Sequence, residues 1–313
     1  MRASVVIPTH NRRDYVLAAL HALTLQDFPA EWLELIVITD RCADGTKAAI
    51  DAAHRHSITV IDSPRPGKAA ALNAGLAIAT GDLCIFLDDE MIPSRSFVSA
   101  HVSRHLAEAG ARIAVTGYSP VVLDENSTLL ERYSADKYAS YHSKLASASR
   151  AKAPTDMNGA NFSIPAAAIR DVGGFDESYF FQRDDFELAA RLIARGYEIR
   201  YEPRARADQH IAVNAEDVVN RAEPRAKNDI RLAREFPWCV PHLPFGILHR
   251  SRATRRRWRF LWHSGSAPTR LARMARAAGV SSVRLVGWEY TARYVAALRK
   301  ELKDWEELLA LGC

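Results

Sequence analysis

An α/β fold with a mostly parallel, Rossmann-like sheet flanked by helices, continued by a helical C-terminal extension, is predicted by three features of this 313-residue chain. Short apolar runs without alternation recur through the first ninety residues, at Val5-Val6-Ile7, Leu35-Ile36-Val37-Ile38 and Leu83-Cys84-Ile85-Phe86-Leu87, the pattern of strands covered on both faces. Helical stretches separate these runs, as right-handed crossovers between parallel strands require. Past His210 the composition turns towards Arg, Ala and Trp, and Leu285, Trp288, Ala292, Val295, Leu298, Leu302, Trp305 and Leu309 keep helical spacing, which predicts one long amphipathic helix at the end.

In order, the chain opens with a strand at residues 4–7, a Pro8-Thr9-His10-Asn11 turn, and a helix whose Val16, Leu20 and Leu23 share one face. A second strand, residues 35–38, leads through Asp44-Gly45 to a helix over 47–54 and a third strand over 58–61. Pro64-Arg65-Pro66-Gly67 is a loop, and 68–79 is an alanine-rich helix that delivers the chain to the strand at 83–87. Between 93 and 152 the pattern loosens: a helix over 97–108, a strand over 113–116, then a polar stretch at 126–152 that reads as a mobile or ligand-facing connection. Order returns at Asn161-Phe162-Ser163-Ile164, Gly173-Gly174-Phe175 and a helix over 185–194 closed by Gly196.

Composition bounds the class. With 48% hydrophobic residues, the chain can bury one large core with an appendage. The formal charge of +5 and pI near 9.1 suit an anionic ligand without arguing for nucleic acid. Cys42, Cys84, Cys239 and Cys313 lie scattered with no CxxC spacing, as expected for reduced thiols in a cytoplasmic protein. Only Met1 to Ser4 precede the apolar run Val5-Val6-Ile7, and no stretch approaches the ~18 apolar residues of a spanning helix, so secretion and membrane spanning are not expected.

Chemistry is concentrated where the strand at 83–87 runs into Asp88-Asp89-Glu90. Three adjacent acids at the carboxyl edge of a strand repel one another unless a hard divalent cation holds them and bridges a phosphate. A metal and a nucleotide diphosphate are therefore expected. Asp40 follows the strand at 35–38 and is placed to face the same crevice, where it would accept hydrogen bonds from a base or ribose; Asp44 reads as a helix cap near Thr46. Lys68, at a helix start, either clamps a phosphate or is a solvated loop lysine. In Asp184-Asp185-Phe186-Glu187 the acids either supply a general base or favour the helix dipole, and position leaves both readings open. His210 taken alone is an ordinary packed or surface histidine.

Together these segments resemble the inverting family 2 glycosyltransferases of GT-A fold over roughly residues 3–212. Ser4-Val5-Val6-Ile7-Pro8-Thr9-His10-Asn11 is similar to the family's opening strand and turn, which lies against the nucleotide. Thr39-Asp40-Arg41-Cys42-Ala43-Asp44-Gly45-Thr46 matches its Asp-Asp-Gly-Ser-x-Asp-Gly-Thr turn at Asp40, Asp44, Gly45 and Thr46. Gly67-Lys68 through Leu72-Asn73-Ala74-Gly75 looks like the next donor-binding segment, and Asp88-Asp89-Glu90 stands where the family has Asp-x-Asp. Val172-Gly173-Gly174-Phe175-Asp176-Glu177 resembles its acceptor-side signature. Asp184-Asp185-Phe186-Glu187-Leu188 with Arg191 falls on Glu-Asp-x-Asp/Glu-Leu-x-x-Arg, while Tyr201-Glu202-Pro203 and His210 sit where some members place a last strand and a metal-binding histidine. Glu90, Asp184, Thr39 and Arg41-Cys42 depart from the family's usual residues.

The resemblance implies a donor-binding half at 1–92, an acceptor-binding half at 93–212 and a helical extension at 213–313. It implies transfer of a sugar from a nucleotide diphosphate to an acceptor hydroxyl by single displacement, with Asp185 as base. Mg2+ or Mn2+ would be held by Asp88, Glu90 and His210, and donor contacts would come from Pro8, Thr9, His10, Asn11, Asp40, Lys68, Asp88 and Asp89. The acceptor, whether glycan, lipid-linked or small molecule, is not specified. Two rival readings share the architecture: a nucleotide-sugar binding or scaffold protein without turnover, and a sugar-phosphate nucleotidylyltransferase, whose glycine-rich, arginine-bearing loop is missing after the first strand. In the extension, Arg252, Arg255, Arg256, Arg257 and Arg259 cluster beside Trp258, Phe260 and Trp262, which suits either peripheral contact with an anionic membrane or a packed tail whose arginines reach water.

Overall fold

The computed structural model describes residues 1–53, 58–147, 153–278 and 282–311, and the chain folds as two compact units. The first comprises residues 1–123, 134–180 and 184–211; the second comprises 124–133, 181–183 and 212–313.

The first unit is built on an eight-stranded sheet: β1 (Ala3–Thr9), β2 (Leu33–Thr39), β3 (Ile58–Asp62), β4 (Leu83–Leu87), β5 (Met91–Pro93), β6 (Ile113–Tyr118), β7 (Asn161–Pro165) and β8 (Glu198–Gln209), in spatial order β3-β2-β1-β4-β7-β6-β8-β5. The β3-β2-β1-β4 half is parallel, as the alternation of runs predicts, with Val5 opposite Leu35 and Ile85. The expectation of a mostly parallel sheet is met with an insertion: β7 runs antiparallel to both β4 and β6, and β5 antiparallel to β8. All five residues of β4 are buried, because apolar layers cover both sheet faces. Phe86 stacks on Phe162 across β4 and β7 at 4.8 Å, and burying one such ring contributes about 2–3 kcal/mol.

Helices α1 (Arg13–Thr24), α2 (Thr46–Ala53) and α3 (Lys68–Ile78) are the first three connections. The predicted end of α2 at His54 lies outside the described residues. A Cβ on Gly75 of α3 would stand 2.5 Å from Val6 and 2.7 Å from Ile38, so only glycine lets this helix lie so close on the sheet. That approach fixes Lys68 at the helix start. Four further helices follow: α4 (Phe97–Ala107), α5 (Leu129–Ser147), α6 (Ala166–Asp171) and α7 (Asp184–Ala194). Helix α5 occupies most of the stretch 126–152 that reads as a mobile or ligand-facing connection, so it is regular structure there and not an irregular link. It buries only His142 and Leu145, so its sequence carries no apolar stripe from which to predict it. Residues 148–152 of that stretch lie outside the described ones.

Beneath the sheet, α4 and β7 share a buried polar chain. His101 Nε2 pairs with Asn161 Oδ1 at 3.0 Å and His101 Nδ1 with Ser163 Oγ at 2.9 Å, while His105 Nε2 reaches the same hydroxyl at 3.0 Å. Burial holds His101 down at about 3 and His105 at about 4; Asn161 and Glu202 act the other way on the first, Ser163 and Glu108 on the second. In the unfolded chain both titrate near 6.5, so between about pH 6.5 and pH 4 unfolding takes up protons and stability falls with falling pH. Urea denaturation at pH 7 and pH 5 should show that loss, with a shallower pH slope in His101→Gln. An unchanged slope in the variant would contradict the assignment.

The second unit is helical: α8 (Ala215–Asn220), α9 (Ala222–Glu235), α10 (Arg252–His263), α11 (Ala267–Ala277), α12 (Val283–Glu301) and α13 (Trp305–Ala310). The single long terminal helix predicted from Leu285 to Leu309 is two. Leu302 is extended, and the Asp304 side chain accepts from Glu307 N at 2.8 Å, capping a new start. Trp258 and Trp262 are buried, packing on Tyr294 and Trp305 with ring centroids 5.8 and 5.7 Å apart. Two fully buried acids are paired: Asp229 with Arg183 at 2.6 Å and Tyr294 Oη at 2.6 Å, and Glu289 with Arg276 and Arg293 at 2.7 Å each. Among the described residues no helix is long and apolar enough to cross a membrane.

Candidate active site

Parallel neighbours β2, β1 and β4 end along one edge of the sheet, and each end delivers polar groups: Asp40 after β2, Thr9 closing β1, and Asp88-Asp89-Glu90 after β4. A run of hydrogen bonds joins three of the acids singled out by the sequence. Asp40 Oδ2 accepts from Gly67 N at 2.9 Å. The next residue, Lys68, places Nζ 2.6 and 2.8 Å from the two Asp88 oxygens and 3.4 Å from Gly159 O. Gly159 N in turn donates to Asp185 Oδ2 at 3.3 Å. Asp40, Asp88 and Asp185, from three distant stretches of sequence, are therefore linked within the first unit through Gly67, Lys68 and Gly159, and a Cβ on Gly159 would stand 2.6 Å from that of Asp185. Lys68 opens α3 and is paired with Asp88, an arrangement neither of its two readings anticipated.

The crevice is electrostatically crowded. Burial, Asp185 and Asp88 push the Asp184 carboxyl up to about 6 against the pull of Lys68, and the Asp88 carboxyl is also raised by burial. Asp89 points elsewhere: it accepts from Thr9 Oγ1 at 2.7 Å and faces Arg12 at 3.4 Å, and burial lifts its carboxyl to about 6. Glu90 pairs with Arg12 and accepts from Gln209 Nε2 at 2.8 Å. His210 is exposed, and its backbone N–H donates to Glu90 O at 3.0 Å, which sets the end of β8 beside the acidic turn. Asp40 Oδ1 is buried without a hydrogen bond, with only the largely exposed Arg41 side chain at 3.5 Å, so it keeps a free acceptor.

The Pro8-Thr9-His10-Asn11 turn is tied to the loop after β2. His10 Nδ1 donates to Asp40 O, and Asn11 Oδ1 accepts from Ala43 N at 2.7 Å. Asn11 and Arg41 both hold left-handed backbone, φ 52° and 51°, a cost ordinarily met at functional turns. Asp44 is the cap expected of it, accepting from Thr46 N and Arg13 N. Arg191 clasps Glu187 and donates to Val172 O at 2.6 Å and Gly174 O at 2.8 Å, so that part of the motif anchors the Gly-Gly-Phe turn.

Several neighbours escaped the sequence reading. Arg12 stands one residue past the recognised turn, and Gly159 follows Asn158 as an Asn-Gly turn signal. Gln209 amide and the Tyr138 phenol also belong to the Glu90 side, and Tyr138 feels Glu90, Asp88 and Asp185, which with burial raise its pKa.

Asp88 and Glu90 offer the carboxylate oxygens that suit a hard divalent ion. Among the described residues no three His, Cys, Asp or Glu side chains form a ready metal cluster. Mg2+ is commonly held by one or two carboxylates with substrate phosphates completing the shell, so this donor set fits such an ion.

The model of glycosyl transferase family 2 matches residues 4–169. The pre-mycofactocin glycosyltransferase of Mycobacterium tuberculosis is 30% identical over 210 residues, covering 64% of this chain and 41% of its own. A probable glycosyltransferase of Bacillus subtilis, YdaM, is 27% identical over 212 residues, 65% of this chain and 49% of its own. The chain thus spans about half the length of these curated relatives. Among solved structures, a Pyrobaculum calidifontis mannosyltransferase in complex with GDP-Man and Mn2+ superposes with a TM-score of 0.60 at 20% identity, covering 98% of this chain and 88% of that one. Residues 1–349 of S. aureus TarS in complex with UDP-GlcNAc give 0.53 at 14%, covering 98% of this chain and 92% of that fragment. These likenesses show a shared fold, and with a family match over more than half its length the chain belongs to glycosyl transferase family 2.

Proposed function

We propose that the chain transfers a sugar from a nucleotide diphosphate to an acceptor hydroxyl by a single inverting displacement. The convergence of Asp40, Asp88 and Asp185 through Gly67, Lys68 and Gly159 carries this reading. Asp40 Oδ1, with its unused lone pairs, takes the base or ribose, while Pro8, Thr9, His10 and Asn11 line the nucleotide side. Asp185 takes the proton from the incoming hydroxyl. The developing positive charge at the anomeric carbon and negative charge on the departing diphosphate are met by opposite groups, the carboxylates and Lys68 respectively.

A divalent ion, Mg2+ or Mn2+, would be held by Asp88 and Glu90 with His210 beside them, and would act as a Lewis acid on the diphosphate. Lys68 and Arg12 pair with these two carboxylates and would compete with such an ion for them. The mannosyltransferase relative solved with GDP-Man and Mn2+ supports this part of the reading. Free Cys42, Cys84 and Cys239 favour a reducing, cytoplasmic setting.

Thermal melts across nucleotide sugars, with and without Mn2+, test the proposal. A ligand at 100 times its Kd stabilises by about 2.7 kcal/mol, which for a chain of this size raises Tm by about 4 °C. Asp40→Ala is expected to lose that shift while melting normally without ligand. If no nucleotide sugar or nucleotide diphosphate moves the Tm, with or without Mn2+, the donor site is wrongly assigned.

A further inference from the structure

Between Phe236 and Trp288 the chain has ten arginines and neither Asp nor Glu, so the rest of the molecule is net acidic although the whole is +5. Helices α10 and α11 turn this asymmetry into a surface. Their inner faces are occupied within the second unit: Trp258, Leu261, Trp262, Pro268 and Ala272 are buried, Arg255 donates to Leu248 O, and Arg276 is paired with Glu289. Their outer faces present a different set. On α10, Arg252, Arg256, Arg259 and Phe260 recur at helical spacing and are all exposed; on α11, Arg270, Leu271, Arg273 and Met274 do the same. No acid among the described residues pairs with any of these arginines. Phe260, Leu271 and Met274 are 65%, 63% and 67% exposed, each directly following an arginine in the sequence.

We propose that the outer face of α10 and α11 is a docking surface for an anionic lipid bilayer. Arginines supply the attraction to acidic headgroups, and Phe260, Leu271 and Met274 enter the boundary between headgroups and acyl chains, as basic amphipathic helices do. A nucleic-acid phosphate backbone would satisfy the arginines but leave three large apolar side chains with nothing to bury against, which favours the bilayer. The tryptophans that the sequence placed at such an interface lie inside, so the apolar contacts come from neighbouring positions. This inference is independent of the glycosyl-transfer reading.

Flotation of the full chain with vesicles of phosphatidylcholine alone, or with about 30% phosphatidylglycerol, tests it at ~0.05 and ~0.5 M salt. Binding is expected only to the anionic vesicles and only at low salt. Each arginine near an acidic leaflet contributes about fivefold in affinity, so Arg256→Gln with Arg259→Gln should weaken binding roughly 25-fold. Lys144→Gln with Arg195→Gln, an equal charge change on other exposed residues, should leave it nearly intact. The triple change Phe260→Ala, Leu271→Ala, Met274→Ala should weaken vesicle binding severalfold without altering the melting curve. No binding to anionic vesicles at low salt overturns the proposal. So does equal loss in the two glutamine pairs, or binding to an unrelated single-stranded RNA as tight as to vesicles and untouched by the triple change.

Discussion

Asp185→Asn is expected to lower turnover by about a hundredfold to ten-thousandfold, the range a positioned general base contributes, while donor-induced thermal stabilisation stays within a few tenths of the wild-type free energy. The asymmetry follows from what the side chain touches. Its Oδ2 accepts from Gly159 N and its Oδ1 from Phe186 N at 2.7 Å. An isosteric amide keeps one of these bonds and turns a donor towards the other N–H, a local loss that leaves Asp40 and Lys68 in place. What disappears is the capacity to accept a proton. Asp184→Asn is the informative companion. Its carboxyl lies beside Lys68 and is pushed up to about 6 by burial, so its loss should alter the charge around Lys68 and affect donor binding as well as rate. Wild-type turnover in Asp185→Asn would remove that residue from the mechanism.

In the second unit, Asp229→Ala is expected to destabilise by about 3–5 kcal/mol, the cost of removing one partner from a buried ion pair. Arg183 is 9% exposed and Asp229 fully buried, and Tyr294 donates to the same carboxylate. Truncation leaves the guanidinium without this carboxylate and the phenol without its acceptor, and opens a cavity besides. For a chain of this size, the melting temperature should fall by roughly 5–8 °C. Replacing both partners, Arg183→Met with Asp229→Leu, should recover much of the loss, because the penalty lies in a buried charge parted from its counter-ion. A single variant that melts within about 1 kcal/mol of wild type would show the pair to be dispensable.

What the sequence made legible was short in range. The strands carrying Val5-Val6-Ile7, Leu35–Ile38 and Leu83–Leu87 follow from unbroken apolar runs, and the placement of Asp40 and Asp88 at their ends follows from chain direction alone. Asp44 as a cap was readable because the interaction spans two residues. Antiparallel β7 was not, since its register with β4 is decided by packing such as Phe86 on Phe162, not by any local signal. Nor was α5, whose polar surface hides its helical period. Arg12 and Gly159 became visible as site residues only when the fold set them against Glu90 and Asp185. The fate of Trp258 and Trp262 depended on which face of α10 met Tyr294 and Trp305, and spacing gives the faces without saying which one turns inward.

The stereochemistry of sugar release decides whether transfer is a single displacement. With a stabilising donor in hand, slow hydrolysis by water in place of the acceptor can be followed by proton NMR before the free sugar mutarotates. A single displacement assisted by Asp185 predicts that the first-formed sugar has the anomeric configuration opposite to the donor, and that Asp185→Asn slows its appearance. A first-formed sugar that retains the donor's configuration would contradict the account.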